Sequence, residues 1–126
     1  MAANEDNDGL FDLQLIIDPT IFSQSGLLQQ LNAVGEFEIN APENRLYLPV
    51  DRELAAKLGC SQYAAKPLES YTMGMVEQLS MIELSPDGQG AMRGDPAATA
   101  RALEAVLRLR DTVKVALING DLVLAV

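Results

Sequence analysis

The chain contains no histidine. That absence removes the usual general base near neutral pH, the imidazole ligand of many metal sites, and every serine–histidine or cysteine–histidine pair. It has a single cysteine, Cys60, which excludes an internal disulfide and leaves the fold independent of an oxidising compartment. Basic residues are scarce: 9 Lys and Arg face 18 Asp and Glu, for a formal net charge of −9. Electrostatic capture of a polyanion is therefore unfavourable, and nucleic acid is not an expected partner. No apolar run reaches the roughly 18 residues that a membrane helix needs, so a membrane is not an expected partner either. The opening "MAANEDNDG" is acidic and has no apolar stretch behind it, unlike a secretory signal. The expected location is the cytoplasm.

What is present suits one domain. A chain of 126 residues, 48% of them hydrophobic, is long enough to bury about two-thirds of its unfolded surface around a single core. Residues 1–9 read as a flexible lead-in, and residues 10–126 as the domain. Phe11 to Ile17 is an apolar, strand-like run. Asp18 then offers a helix cap with Pro19 at the first helical position, which predicts a helix from about Pro19 to Ala33, ended by Gly35. "EFEINAPENRLYLP" holds two extended stretches, Glu36 to Ile39 and Arg45 to Leu48, with Asn40, Pro42 and Asn44 as turn formers between them. A short helix is expected between Asp51 and Gly59, and a longer one from Pro67 to Leu84, stopped by "SPDGQG". The last helix begins at the strongest cap, Asp95 before Pro96, and runs to about Ile118. Its Leu103, Val106, Leu107, Val113 and Leu117 recur at helical spacing. The expected class is α+β, predominantly α, with several helices around a small extended ββ element.

The chemistry-bearing residues are thinly supplied. Cys60 lies at the end of a helix with no basic neighbour, as a small packed thiol would. Glu36 and Glu38, with Glu43, Asp51 and Glu53 nearby in sequence, are a set that a hard cation would want, but they read first as the solvated face of a half-buried strand. Lys57, Lys66 and Lys114 read as exposed charges. "RGD" at Arg93 to Asp95 is absorbed by the helix cap. "GQG" at Gly88 to Gly90 is too short for a phosphate loop. Met73, Met75 and Met81 read as core fillers. Arg101, Arg108 and Arg110, interrupted by Glu104 and Asp111, read as a solvated face or a rim for protein contacts.

The order of "FDLQLIIDPTIF", "PENRLYLPVDRELAAKLG" and "SQYAAKPLESY" resembles the AHH family, a branch of the HNH-type ββα-metal nucleases found as bacterial toxin domains. The likeness covers roughly residues 11–71. It implies an HNH-like fold in which Asn44, Leu48, Pro49, Pro67 and Tyr71 belong to the framework. It also implies that the family's paired histidines of the first run fall at Gln14 and Leu15, and those of the third run at Gln62 and Lys66. Glutamine cannot take the proton, leucine offers no ligand atom, and a lysine ammonium repels a cation. The resemblance thus implies a degenerate site at Gln14, Leu15, Asn44, Gln62 and Lys66, with no catalytic residue, metal ligand or cofactor expected.

Two functions remain as expectations. One is a catalytically silent pseudo-nuclease acting as a protein-interaction module, neutralising or accompanying a nuclease toxin; a charge of −9 suits a partner with a basic surface. The other is a divergent or inactivated nuclease toxin domain that uses a carboxylate-bound divalent ion. Export as part of a toxin system is compatible with both, and oligomeric state is left open.

Overall fold

A computed structural model describes residues 9–126; the expected lead-in, up to residue 8, lies outside the described residues. The elements run β1 (Phe11–Leu15), α1 (Pro19–Ser23), α2 (Gly26–Ala33), a 3-10 turn (Pro42–Asn44), β2 (Arg45–Pro49), α3 (Arg52–Leu58), α4 (Glu69–Leu84), α5 (Pro86–Met92) and α6 (Pro96–Asn119). The fold is α+β and predominantly α, as expected, with one small antiparallel sheet. No helix among the described residues is long and apolar enough to cross a membrane.

β1 and β2 pair in a register that sets Phe11 opposite Pro49 and Leu15 opposite Arg45. The strand expected over Glu36 to Ile39 does not form. Glu36 and Phe37 both donate their amides to the carbonyl of Leu31, at 2.9 and 3.2 Å, and the side-chain Nδ2 of Asn32 donates to the Phe37 carbonyl at 2.9 Å. The end of α2 therefore takes up that segment's backbone groups, and Phe37 drops into the core.

The single helix expected over Pro19 to Ala33 is two. Asp18 caps α1 by accepting from the Ile21 amide at 2.9 Å. Ser25 is extended and caps α2 through the Leu28 amide, at 3.2 Å. The Leu27 amide, another donor that a helix start leaves without an internal partner, is taken by the Glu83 carboxylate at 2.8 Å. A residue from α4 thus fixes a break that local sequence marks only weakly.

Asp51 caps α3 at the Leu54 amide, 2.9 Å, and Gly59 closes it at a φ of 71°. α4 begins at Glu69, two residues after Pro67. "SPDGQG" does not simply stop it: Ser85 caps a further helix, α5. A methyl at Gly88 would strike the carbonyls of Ile82 and Glu83, and one at Gly90 would strike Ala98. The glycines let α4, α5 and α6 meet at backbone distance.

α6 starts on Asp95, which accepts from the Ala98 amide at 2.8 Å, and buries Ala98, Ala102, Val106, Arg110, Val113 and Leu117. Of the expected apolar stripe, Val106, Val113 and Leu117 are core, whereas Leu103 and Leu107 are only half-buried. Ile16, Ile17, Ile21, Leu27, Leu28 and Leu31 meet Met75, Leu79, Val106 and Leu117 in one core. The segment after α6 returns to the middle of the chain: the Leu124 amide donates to Ser61 Oγ, and Leu68 donates to the Leu124 carbonyl, both at 2.9 Å.

Candidate functional site

The positions that the family resemblance assigns to chemistry sit around the two-stranded sheet. Past Leu15 the ladder continues onto Asn44. Ile16 donates its amide to the Asn44 carbonyl at 2.9 Å, and Ile17 donates to Asn44 Oδ1 at 2.9 Å. Asn44 Nδ2 donates to the carbonyls of Ile17 and Ile39, each at 2.8 Å. The 3-10 turn aims this side chain, and its fully buried amide acts as a further rung of the sheet. Tyr71 closes the same corner from α4, its hydroxyl donating to the Ile16 carbonyl at 2.6 Å. Burial, and secondarily the charge of Asp18, pushes the Tyr71 phenol well above its ordinary range.

Gln14 is buried, and its Oε1 accepts the Ala64 amide at 3.0 Å. Gln62 is half-buried, and its Nε2 donates to the Val50 carbonyl at 2.8 Å. Between them Tyr63 donates its amide to the Pro49 carbonyl at 2.8 Å. Residues 62–64 are thereby stitched along the sheet from the end of β2 back to β1. Leu15 is the strand neighbour of Gln14, so the two side chains project to opposite faces, and Leu15 is half-buried. Lys66 is exposed. It lines a groove of about 520 Å³ with Asp18, Thr20, Gln24, Glu69 and Met73, and the lining includes none of Gln14, Leu15, Asn44 and Gln62. Gln14, Asn44 and Gln62 are thus strung along the sheet rather than brought to one point, Asn44 beyond its Leu15 end and Gln62 beyond its Pro49 end, each engaged with backbone, while Lys66 is exposed in a groove that none of them lines. No buried side-chain nitrogen or oxygen among the described residues is left without a hydrogen-bond partner.

The other candidates separate in the same way. Glu36, Glu38, Glu43 and Glu53 are exposed, Asp51 is a helix cap, and no group of three or more carboxylates, cysteines or histidines forms among the described residues. Lys57 is exposed, and Lys114 reaches the Glu43 carbonyl at 3.3 Å. Cys60 is half-buried, and burial pushes its thiol up, with a backbone hydrogen bond opposing.

Two expectations need correction. Arg110 is not on a solvated face: its side chain is only 8% exposed and is held by Asp111 at 2.8 Å. Arg101 and Arg108 are exposed and pair with Asp87 and Glu104. Of the three methionines read as core fillers, only Met75 is; Met73 and Met81 are exposed. The sequence signal for that surface was that α4's apolar residues are not confined to one side of the helix: Met73, Met81 and Leu84 fall away from Tyr71, Met75 and Leu79, among Glu69, Glu77 and Ser80. Comparisons of the chain with family models, with curated proteins and with solved structures give no match.

Proposed function

We propose that the chain is a catalytically silent protein-interaction module on an AHH-like framework, which neutralises or accompanies a bacterial nuclease toxin by binding a protein with a basic surface. The observation that carries this reading is the use made of Gln14, Asn44 and Gln62. Their polar atoms hold backbone groups in place at the sheet, so they serve as struts and present no proton acceptor to a substrate. The acidic balance of the chain adds electrostatic steering toward a cationic partner and away from nucleic acid. Its site of action in this reading is the cytoplasm, or wherever an exported toxin carries it.

The test is incubation of the purified protein with plasmid and with RNA in the presence of Mg²⁺ or Mn²⁺. No retention at physiological salt and no cleavage is the expected result. Reproducible nicking that disappears on Lys66→Ala would overturn the reading in favour of a divergent, metal-dependent nuclease. In parallel, the immobilised protein should retain a basic product of a neighbouring gene and release it as salt is raised.

A further inference from the structure

Along the outer side of α6 runs a trough of about 780 Å³, lined by residues of this helix alone, from Ala100 to Val115. Leu103 and Leu107 are half-buried in it and Val115 is 55% exposed. Ala97 and Ala100 are exposed and small, so another helix can come close. The exposed charges from Pro96 to Val113 are Arg101, Glu104, Arg108 and Asp111. Two are cations and two anions, so this side of α6 is neutral on a chain whose net charge is −9.

The order of these charges is particular. Glu104 and Arg108 stand two residues before and after Val106, and Arg101 and Asp111 five residues before and after it. At each mirrored position the sign reverses. Arg110 breaks the pattern in sequence only, because it is buried, as is Ala102 at its mirrored position. Lys114 lies beyond the set and reaches the Glu43 carbonyl at 3.3 Å. Polar atoms of the four remain open to a new partner. Glu104 and Arg108 pair loosely with each other, at 3.5 Å, with both side chains 73% exposed. Asp111 accepts from Arg110 on Oδ1, and Arg101 donates to Asp87 through Nε.

We propose that two copies of the chain associate through α6, packed antiparallel about a two-fold axis at the level of Val106. That axis sets Glu104 level with Arg108 of the second copy and Arg101 level with Asp111 of the second copy, each twice over. Ala97 comes level with Val115 of the second copy, a small side chain beside an exposed apolar one. A wholly basic or wholly acidic partner would set half of the four charges against their own sign, and a parallel copy all of them. The same helix turned end for end opposes every one to its opposite. The contact is one helix wide and about 27 Å long, short of the roughly 1,200 Å² of a standard interface, so the dimer is a weak one. This association is independent of the silent-module reading, since a neutral face adds nothing to the capture of a basic protein.

Sedimentation equilibrium of the purified chain across about 10 µM to 1 mM should show monomer and dimer in exchange. Glu104→Arg alone opposes cation to cation across the axis, and Arg108→Glu alone opposes anion to anion. Each should weaken the dimer about tenfold or more. An equimolar mixture of these two variants should pair again, because each then faces its opposite. A single chain carrying both changes should self-associate about as tightly as the natural one. Val115→Glu should weaken the dimer, whereas Met81→Glu on α4 should not. Thermal melts check that each variant is folded, as the high exposure of Glu104 and Arg108 leads one to expect. A natural chain that stays monomeric up to about 1 mM would overturn the proposal. So would a dimer insensitive to either single exchange, or a failure of the mixture or of the doubly changed chain to restore it.

Discussion

Asn44→Ala removes a side chain with no solvent exposure and leaves the Ile17 amide and the carbonyls of Ile17 and Ile39 without their partners. Each stranded buried backbone group costs about 1–3 kcal/mol, so the three together should cost about 3–9 kcal/mol. That is a large share of the roughly 5–15 kcal/mol that keeps a domain folded. Asn44→Asp should be at least as damaging. It keeps an acceptor for Ile17 but turns a second oxygen toward two carbonyls, where a buried carboxylate has nothing to accept from. Gln14→Ala, which strands the single amide of Ala64, should cost only about 1–2 kcal/mol. Urea unfolding followed by circular dichroism measures all three. With a slope of about 1–3 kcal/mol per molar, the Asn44→Ala midpoint should fall by at least about 1 M with the slope unchanged. A loss below about 1 kcal/mol, or a loss no greater than that of Gln14→Ala, would refute the idea that Asn44 is the strut of the sheet.

Gly90→Ala should destabilise by about 1–3 kcal/mol through overpacking against Ala98; thermal melts suffice, and a neutral or raised melting temperature would contradict the close approach of α5 and α6. Because the folded Tyr71 phenol is held above its ordinary value near 10, the folded state keeps a proton that the unfolded chain releases. Its contribution is complete below about pH 10 and is lost as pH rises beyond that toward the folded value. Tyr71→Phe should reduce this alkaline loss and, at neutral pH, cost about 1–2 kcal/mol for the hydrogen bond to Ile16, both read from unfolding curves across pH. With its thiol pushed up by burial, Cys60 should react with a disulfide reagent more slowly than free cysteine at neutral pH, with a midpoint at higher pH; a faster reaction would show that the thiol is activated.

The parts of the fold that were legible in the sequence are those decided locally. Asp18, Asp51 and Asp95 each start a helix, two of them with proline next, and Gly59 and Gly120 each end one in the left-handed region. What escaped was decided at a distance. The break before α2 leans on Glu83, 56 residues from Leu27. β2 pairs with β1 because the nearer segment Glu36 to Ile39 gave its backbone groups to the end of α2. Gly88 and Gly90, which in sequence argue against a helix, are required by neighbours at Ile82, Glu83 and Ala98. At the candidate site Gln14 stands out as an amide in an apolar run and Asn44 reads as a turn former, but their partners, Ala64 and Ile17, lie 50 and 27 residues away. Arg110 sits on α6 among residues that read as solvated, and only the packing of the whole domain encloses it.

The hub position of β1 has a consequence for how fast the molecule assembles. Helix-rich chains usually fold quickly because most of their contacts are between near neighbours. Here the first strand and the two residues after it find partners in Asn44, β2, Ala64 and Tyr71, each closing a long loop of otherwise free chain. During synthesis the segment Phe11 to Ile17 emerges early and waits, apolar and unpaired, until β2 has been made, and its contacts with Ala64 and Tyr71 come later still. The folding rate should therefore resemble that of a mixed α/β domain rather than a helical bundle. The waiting strand is also the stretch most exposed to mispairing with another chain.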